Sequence, residues 1–192
     1  PELVVDDVVR AWMMTFLFSG IFAALYIARE FDSRVINRTV LLTGTRQRVL
    51  STKLLVVAMF GVLFAVLAAV GAVASALILP GFLGVDIAWS EEATWTLLGV
   101  MTCCVLAALW GAGIALCVRH QIVAILIVVG FCLLIDPGVQ RIWPEAANGL
   151  FTIALSSLYL DPKPDLLAVP LATLVAAAWV IASTALGAWR FV

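Results

Sequence analysis

The sequence predicts an all-α fold, a polytopic bundle of transmembrane helices, and three observations carry that prediction. Hydrophobic residues make up 65% of the 192 positions and charged residues only 12%, where a soluble domain has roughly 45–50% and about 25%. Mean hydropathy is +1.17. The apolar residues also fall into runs of spanning length, separated by short charged or proline-bearing stretches. Residues 1–192 therefore read as a single transmembrane domain, with the lipid bilayer as its first partner.

A spanning helix needs about 20 mainly apolar residues, within a range of roughly 17–25. Four runs meet that requirement, at about 11–28, 54–79, 94–118 and 166–189. A fifth, at about 120–135, is short, and it crosses if the bilayer thins or neighbouring helices shield its ends. Between the first two spans, residues about 30–43 have the pattern of an amphipathic helix. Residues about 136–165 hold an apolar run, Ala146 to Leu160, interrupted by Asn148, Thr152, Ser156 and Ser157 and bracketed by Pro144 and Pro162. That pattern predicts an interfacial or re-entrant helix. The chain starts at Pro1 rather than Met, so an N-terminal piece is expected ahead of it, and no signal-peptide layout is visible at this end.

Five crossings place residues 29–53, 119–121 and 190 on one side. That side carries eight basic residues (Arg29, Arg34, Arg38, Arg46, Arg48, Lys53, Arg119, Arg190) and two acids. The other side carries three basic residues, Arg10, Arg141 and Lys163, and ten acids. Lys and Arg accumulate on the cytoplasmic side of a membrane protein, so loop 29–53 and the C-terminus are expected in the cytoplasm of a cell whose plasma or inner membrane holds the chain. Trp12, Trp89, Trp95 and Trp143 fall at the predicted outer boundary and Trp189 at the inner one, where amphipathic rings settle. Trp110 and Trp179 fall deeper.

Six of the eleven basic residues lie in the 25 positions from Arg29 to Lys53. A basic loop beside a span sets topology and touches anionic lipid, but this stretch has more pattern than that role requires. Glu30 and Arg34 stand four apart in the favourable order for a helical ion pair, and Arg38 follows one turn later. Phe31, Val35, Thr39 and Leu42 form an apolar stripe, Gly44 is a stop and Thr45 an N-cap for the helix that follows. Such an element lies flat on a membrane or docks in the groove of another protein. Amphipathicity alone does not choose between the two.

In layout and in this loop the chain resembles the membrane subunit of type-2 ATP-binding-cassette (ABC) exporters. These permeases carry, between their second and third spans, a Glu followed by a basic amphipathic segment, then an Arg and a Lys before the next span. The matching residues are Glu30, Arg34, Arg38, Leu41, Leu42, Arg48, Lys53 and Leu54. Where the family often has a Gly soon after the Glu and a Pro at the break, this chain has Arg34–Val35 and Gly44–Thr45. The resemblance implies six spans, of which five are visible, a cytoplasmic coupling helix over about 30–43 and an extracytoplasmic re-entrant segment. It implies a dimer with a second permease subunit, identical or related, each resting on a separate ABC ATPase. The chain has no GxxxxGK[ST] phosphate cradle. It is accordingly expected not to be an enzyme and to carry no cofactor, with ATP and Mg bound by the partner. The resemblance assigns coupling to Glu30, Arg34, Arg38, Leu41, Leu42, Arg48 and Lys53. The scarcity of charge within the spans favours an amphiphilic or apolar cargo.

Other chemistry fits less well. Cys103, Cys104, Cys117 and Cys132 lack the paired spacing of a zinc site and read as packing residues. Glu91–Glu92 resemble the start of an intramembrane metalloprotease site, but Ala93 and Thr94 follow, and the single His120 builds no usual zinc site. Asp136–Pro137–Gly138 reads as a turn at a membrane exit, with Asp136 a candidate for pathway or gating. Ser156–Ser157 has no nucleophile setting. The basic loop lacks the interleaved aromatics of a nucleic-acid binder. Small-residue ridges, Ala68–Ala72–Ala76 and Ala107–Gly111–Ala115, suit close helix packing, inside the chain or at a dimer seam. The alternative function is a non-transporting membrane anchor that recruits a soluble partner through loop 29–53. A further rival is an intramembrane enzyme using Glu91, Glu92 or Asp136.

Overall fold

The computed structural model describes residues 5–32, 45–83, 89–163 and 166–191, and all regular structure among them is helical. In chain order the elements are α1 (Val5–Arg10), a 3-10 turn (Ala11–Met14), α2 (Thr15–Asp32), α3 (Arg46–Leu83), α4 (Glu91–Val118), α5 (Gln121–Gly130), a π turn (Phe131–Ile135), α6 (Asp136–Ile142), α7 (Pro144–Ala147), α8 (Phe151–Leu158) and α9 (Val169–Phe191). Five stretches are long and apolar enough to cross a membrane: Val5–Phe31, Arg46–Leu79, Glu91–Val118, Gln121–Ile142 and Val169–Arg190.

These match the five expected spans in order and differ at their ends for local reasons. The first reaches back to Val5, because Asp6 and Asp7 sit in an opening helical turn, where acids suit the positive pole of the backbone dipole. The third begins at Glu91, since Ser90 caps it: the Ser90 hydroxyl accepts from the Ala93 N–H at 2.8 Å. Glu91 and Glu92 are then first-turn acids of α4 and exposed. The last span begins at Val169 rather than 166, with Pro170 in its first turn, where a missing N–H costs nothing.

The short fourth span is where expectation and structure part most. Asp136–Pro137–Gly138 does not turn the chain out of the membrane segment. The helix passes through Asp136 and runs to Ile142, giving a span of 22 residues. Pro137 lacks an N–H and its ring crowds the preceding turn. The π turn just before it, marked by the Asp136 N–H donating to the Phe131 carbonyl, widens the helix and absorbs that conflict. Of the segment expected at 136–165, the first seven residues thus belong to the fourth long helix, and α8 is a separate short helix with all eight residues buried.

The core is organised around α4, which contacts α1, α2, α3, α5, α8 and α9. Its small residues explain why. A side chain at Gly111 would run into the Gly20 carbonyl of α2, and one at Gly99 into the carbonyl of Leu158, the last residue of α8. Both glycines therefore permit backbone-to-backbone approach. Ala107, Gly111 and Ala115 face inward in this way. Ala72 and Ala76 pack against Val5, Val8, Val9 and Ala93. Both ridges are internal seams. Trp110, almost wholly buried, stacks on Phe151 of α8 at 4.5 Å between ring centroids and meets Phe131 edge-on. The four cysteines are free thiols, with the Cys103 thiol donating to the Leu155 carbonyl at 3.5 Å, in keeping with a packing role. Outward faces stay apolar: Met59, Leu63, Val66 and Val70 of α3 and Leu174 and Ile181 of α9 are largely exposed.

Candidate functional site

Among the described residues, two places stand out as candidate sites. At one end, α2 finishes and α3 begins, and Lys53 of α3 makes an ion pair with Glu30 of α2. The Lys53 side chain is only 10% exposed and that of Glu30 23%. The ammonium also lies 5.9 Å from the centroid of the Tyr26 ring, near the distance at which an aromatic face attracts a cation. The same end holds Arg119, in a left-handed conformation (φ 59°) that closes α4, with its guanidinium 5.5 Å from the Phe31 ring. Arg119 donates to the Arg190 carbonyl and Arg190 donates to the Cys117 carbonyl at 2.9 Å. Each arginine thereby satisfies carbonyls at the other helix's C-terminus, where cations are favoured.

Of the residues assigned to coupling, Glu30 and Lys53 are thus brought together, while Arg48 is exposed on the first turns of α3. Arg34, Arg38, Leu41 and Leu42, and with them most of the helix expected at 30–43, lie outside the described residues. His120 is exposed between α4 and α5 and makes no side-chain cap, as a boundary residue would.

The second place is Asp136. Its side chain has no exposed surface. One carboxylate oxygen accepts two hydrogen bonds from Thr152 of α8, from the backbone N–H at 2.8 Å and from the hydroxyl. The other oxygen, Oδ1, is buried and has no partner. Leu150, the N-cap of α8, provides no side-chain acceptor, so Asp136 supplies the missing cap from another helix. The same Thr152 also walls a pocket of about 220 Å³ that Asp136 itself does not line and whose walls are mainly apolar, with Met13, Phe16, Leu17 and Ile153 beside Ser156 and Tyr159. Tyr159 lies outside the long helices. Burial pushes its hydroxyl pKa well up, Asp161 and Cys103 add to the rise and Arg10 opposes it. Lys163 is engaged with Asp161 at 2.9 Å.

Asp136 was legible as an ionisable residue near a span. Its partner was not: Thr152 stands out in sequence only as a polar interruption of an apolar run. Tyr26 and the crossed Arg119–Arg190 pair carry no motif either. Among the described residues no three His, Cys, Asp or Glu side chains cluster as a metal site would require. Compared with protein families, curated proteins and solved structures, the chain finds no match.

Proposed function

We propose that this chain is the membrane-spanning permease subunit of an ATP-driven ABC exporter, moving an amphiphilic or apolar cargo with energy from a separate ATPase. The observation that carries the reading is the Lys53–Glu30 clamp at the basic end of the bundle. It ties the end of α2 to the start of α3, the two elements joined through residues 33–44, which hold Arg34 and Arg38. A partner that docks there and moves would pull on both helices together, and α2 and α3 both pack on the central α4. Charge complementarity suits such docking because it fixes partner and register.

In this reading the basic end faces the cytoplasm, ATP and Mg bind the partner ATPase, and a second permease subunit covers part of the exposed apolar surface. The short α8 is the extracytoplasmic re-entrant element. In the same reading Asp136, in the broken fourth span, lies beside the outer part of the path.

Gentle affinity purification from native membranes tests the proposal. A stoichiometric ATPase bearing a phosphate-binding loop is expected to accompany the chain. It is lost from the Arg34→Glu/Arg38→Glu double variant, although that variant still inserts. Transport by the reconstituted complex then separates a permease from an anchor. Normal ATPase retention in the double variant, or no ATPase in several detergents, refutes the coupling role.

A further inference from the structure

We propose that the groove between α2 and the start of α5 binds one anionic phospholipid, its phosphate on Arg29 and Gln121 and its first acyl carbons on Phe22 and Leu25. The site needs only that the long helices span a bilayer, so it stands or falls apart from the exporter reading. Its walls are Phe22, Leu25, Tyr26, Arg29, Glu30 and Gln121, and they border about 670 Å³. Ligand pockets usually fall between about 300 and 1,000 Å³.

Leu25, Tyr26 and Arg29 follow Phe22 at helical spacings, so all four share one face of α2. Along that face the wall changes from apolar to cationic over about 10 Å, at roughly 1.5 Å per residue. Arg29 lies in the last turn of the first long apolar stretch and Gln121 opens the fourth, so the cationic end stands at headgroup level. Phe22 lies deeper. It is held edge-on by Phe60 at 4.9 Å and against Phe64 of α3 at 5.7 Å between ring centroids, and is still 40% exposed. A lipid presents phosphate and then hydrocarbon in that same order. A soluble protein docking at this end reaches Arg29 but not Phe22.

Charge selects the headgroup. Glu30, the acid on this wall, is paired with Lys53, so Arg29, Glu30 and Lys53 together are positive. Among the described residues, the same end also carries Arg46, Arg48, Arg119 and Arg190, with Asp32 as its other acid. A guanidinium presents a planar fork of N–H donors that fits two phosphate oxygens, and Gln121 adds an amide donor. A zwitterionic lipid brings its own cation into this positive field and an anionic one does not. Basic pockets between spanning helices are a known setting for anionic headgroups.

Native mass spectrometry of the purified full chain in detergent tests the site, with phosphatidylglycerol and phosphatidylcholine of the same acyl chains as probes. One phosphatidylglycerol per chain is expected to be retained, about fivefold more tightly than phosphatidylcholine, as one well-placed cation provides. Arg29→Gln removes that preference. Gln121→Leu lowers it, and carries the test if Arg29→Gln does not fold. Arg46→Gln, exposed at the same end but off the wall, keeps it. Glycerol 1-phosphate, the headgroup chemistry without its tail, displaces none of the bound lipid. Equal retention of both lipids, an unchanged preference in Arg29→Gln or Gln121→Leu, or an equal loss in Arg46→Gln overturns the proposal. So does displacement by glycerol 1-phosphate, which assigns the groove to soluble phosphate esters instead.

Discussion

The Lys53–Glu30 pair makes a quantitative prediction because its two partners are unequally buried. Two charges in contact attract by about 4 kcal/mol at an effective dielectric of about 20, before desolvation is subtracted. Removing one partner of a buried pair typically costs about 3–5 kcal/mol, most of it from the charge left behind. Lys53 is the more deeply placed, its side chain 10% exposed against 23% for Glu30. Glu30→Gln, which leaves the ammonium with the Tyr26 ring, is expected to destabilise by about 3 kcal/mol. Lys53→Met keeps the packing of the aliphatic stem and leaves the better hydrated carboxylate, so about 1–2 kcal/mol is expected. The double variant should cost less than the sum by about 2 kcal/mol. Unfolding by sodium dodecyl sulfate in mixed micelles, followed by far-UV circular dichroism on the four proteins of the cycle, measures each term. If Lys53→Met is the costlier single change, or if the coupling is below about 0.5 kcal/mol, the clamp does not hold these helices together.

Three further outcomes follow from packing and titration. Gly111→Ala sets a methyl against the Gly20 carbonyl and is expected to cost about 2–3 kcal/mol, whereas Gly138→Ala, with open space around it, lowers the thermal midpoint by nothing measurable. Trp110→Ala removes the stack on Phe151 and should cost about 3–5 kcal/mol, with α8 becoming accessible to protease before the long helices do. The raised Tyr159 pKa means that the folded state keeps its proton above the ordinary value of 10.0 while the unfolded state loses it. Its contribution is complete below about pH 10 and is lost as pH rises toward the folded pKa, so a melting-temperature profile should fall above pH 10 and be flatter there in Tyr159→Phe.

Much of the architecture was readable because hydropathy reports what lipid demands of a helix. The five long helices were located from runs of apolar residues, and some of their ends moved where polar residues serve the helix itself, as Ser90, Glu91 and Glu92 do at α4. The fourth span misled for a definite reason. Proline and glycine after an aspartate are ordinary turn signals, and nothing in a residue pattern reveals that a π turn will absorb the proline. The Asp136–Thr152 contact joins residues 16 apart in the chain, and neither belongs to a recognised motif. Glu30 and Lys53 were singled out as members of a basic loop; that they meet each other was not foreseen, because pairing across a chain reversal leaves no periodic trace.

The central place of α4 has a consequence for how the protein is made. Hydrophobic segments leave the ribosome in order, and each enters the membrane before its later neighbours exist. The aromatic contact of Phe22 with Phe60 gives α2 and α3 an early association. Yet the close approach at Gly20, and the Ala93 side of the seam at Ala72 and Ala76, await α4. Nascent chains arrested short of Val118 should therefore be inserted but unassembled, and exposed to quality-control proteases. Synthesis of the third long helix becomes the moment at which separate spans turn into one protein, and a pause in translation just after it would favour yield.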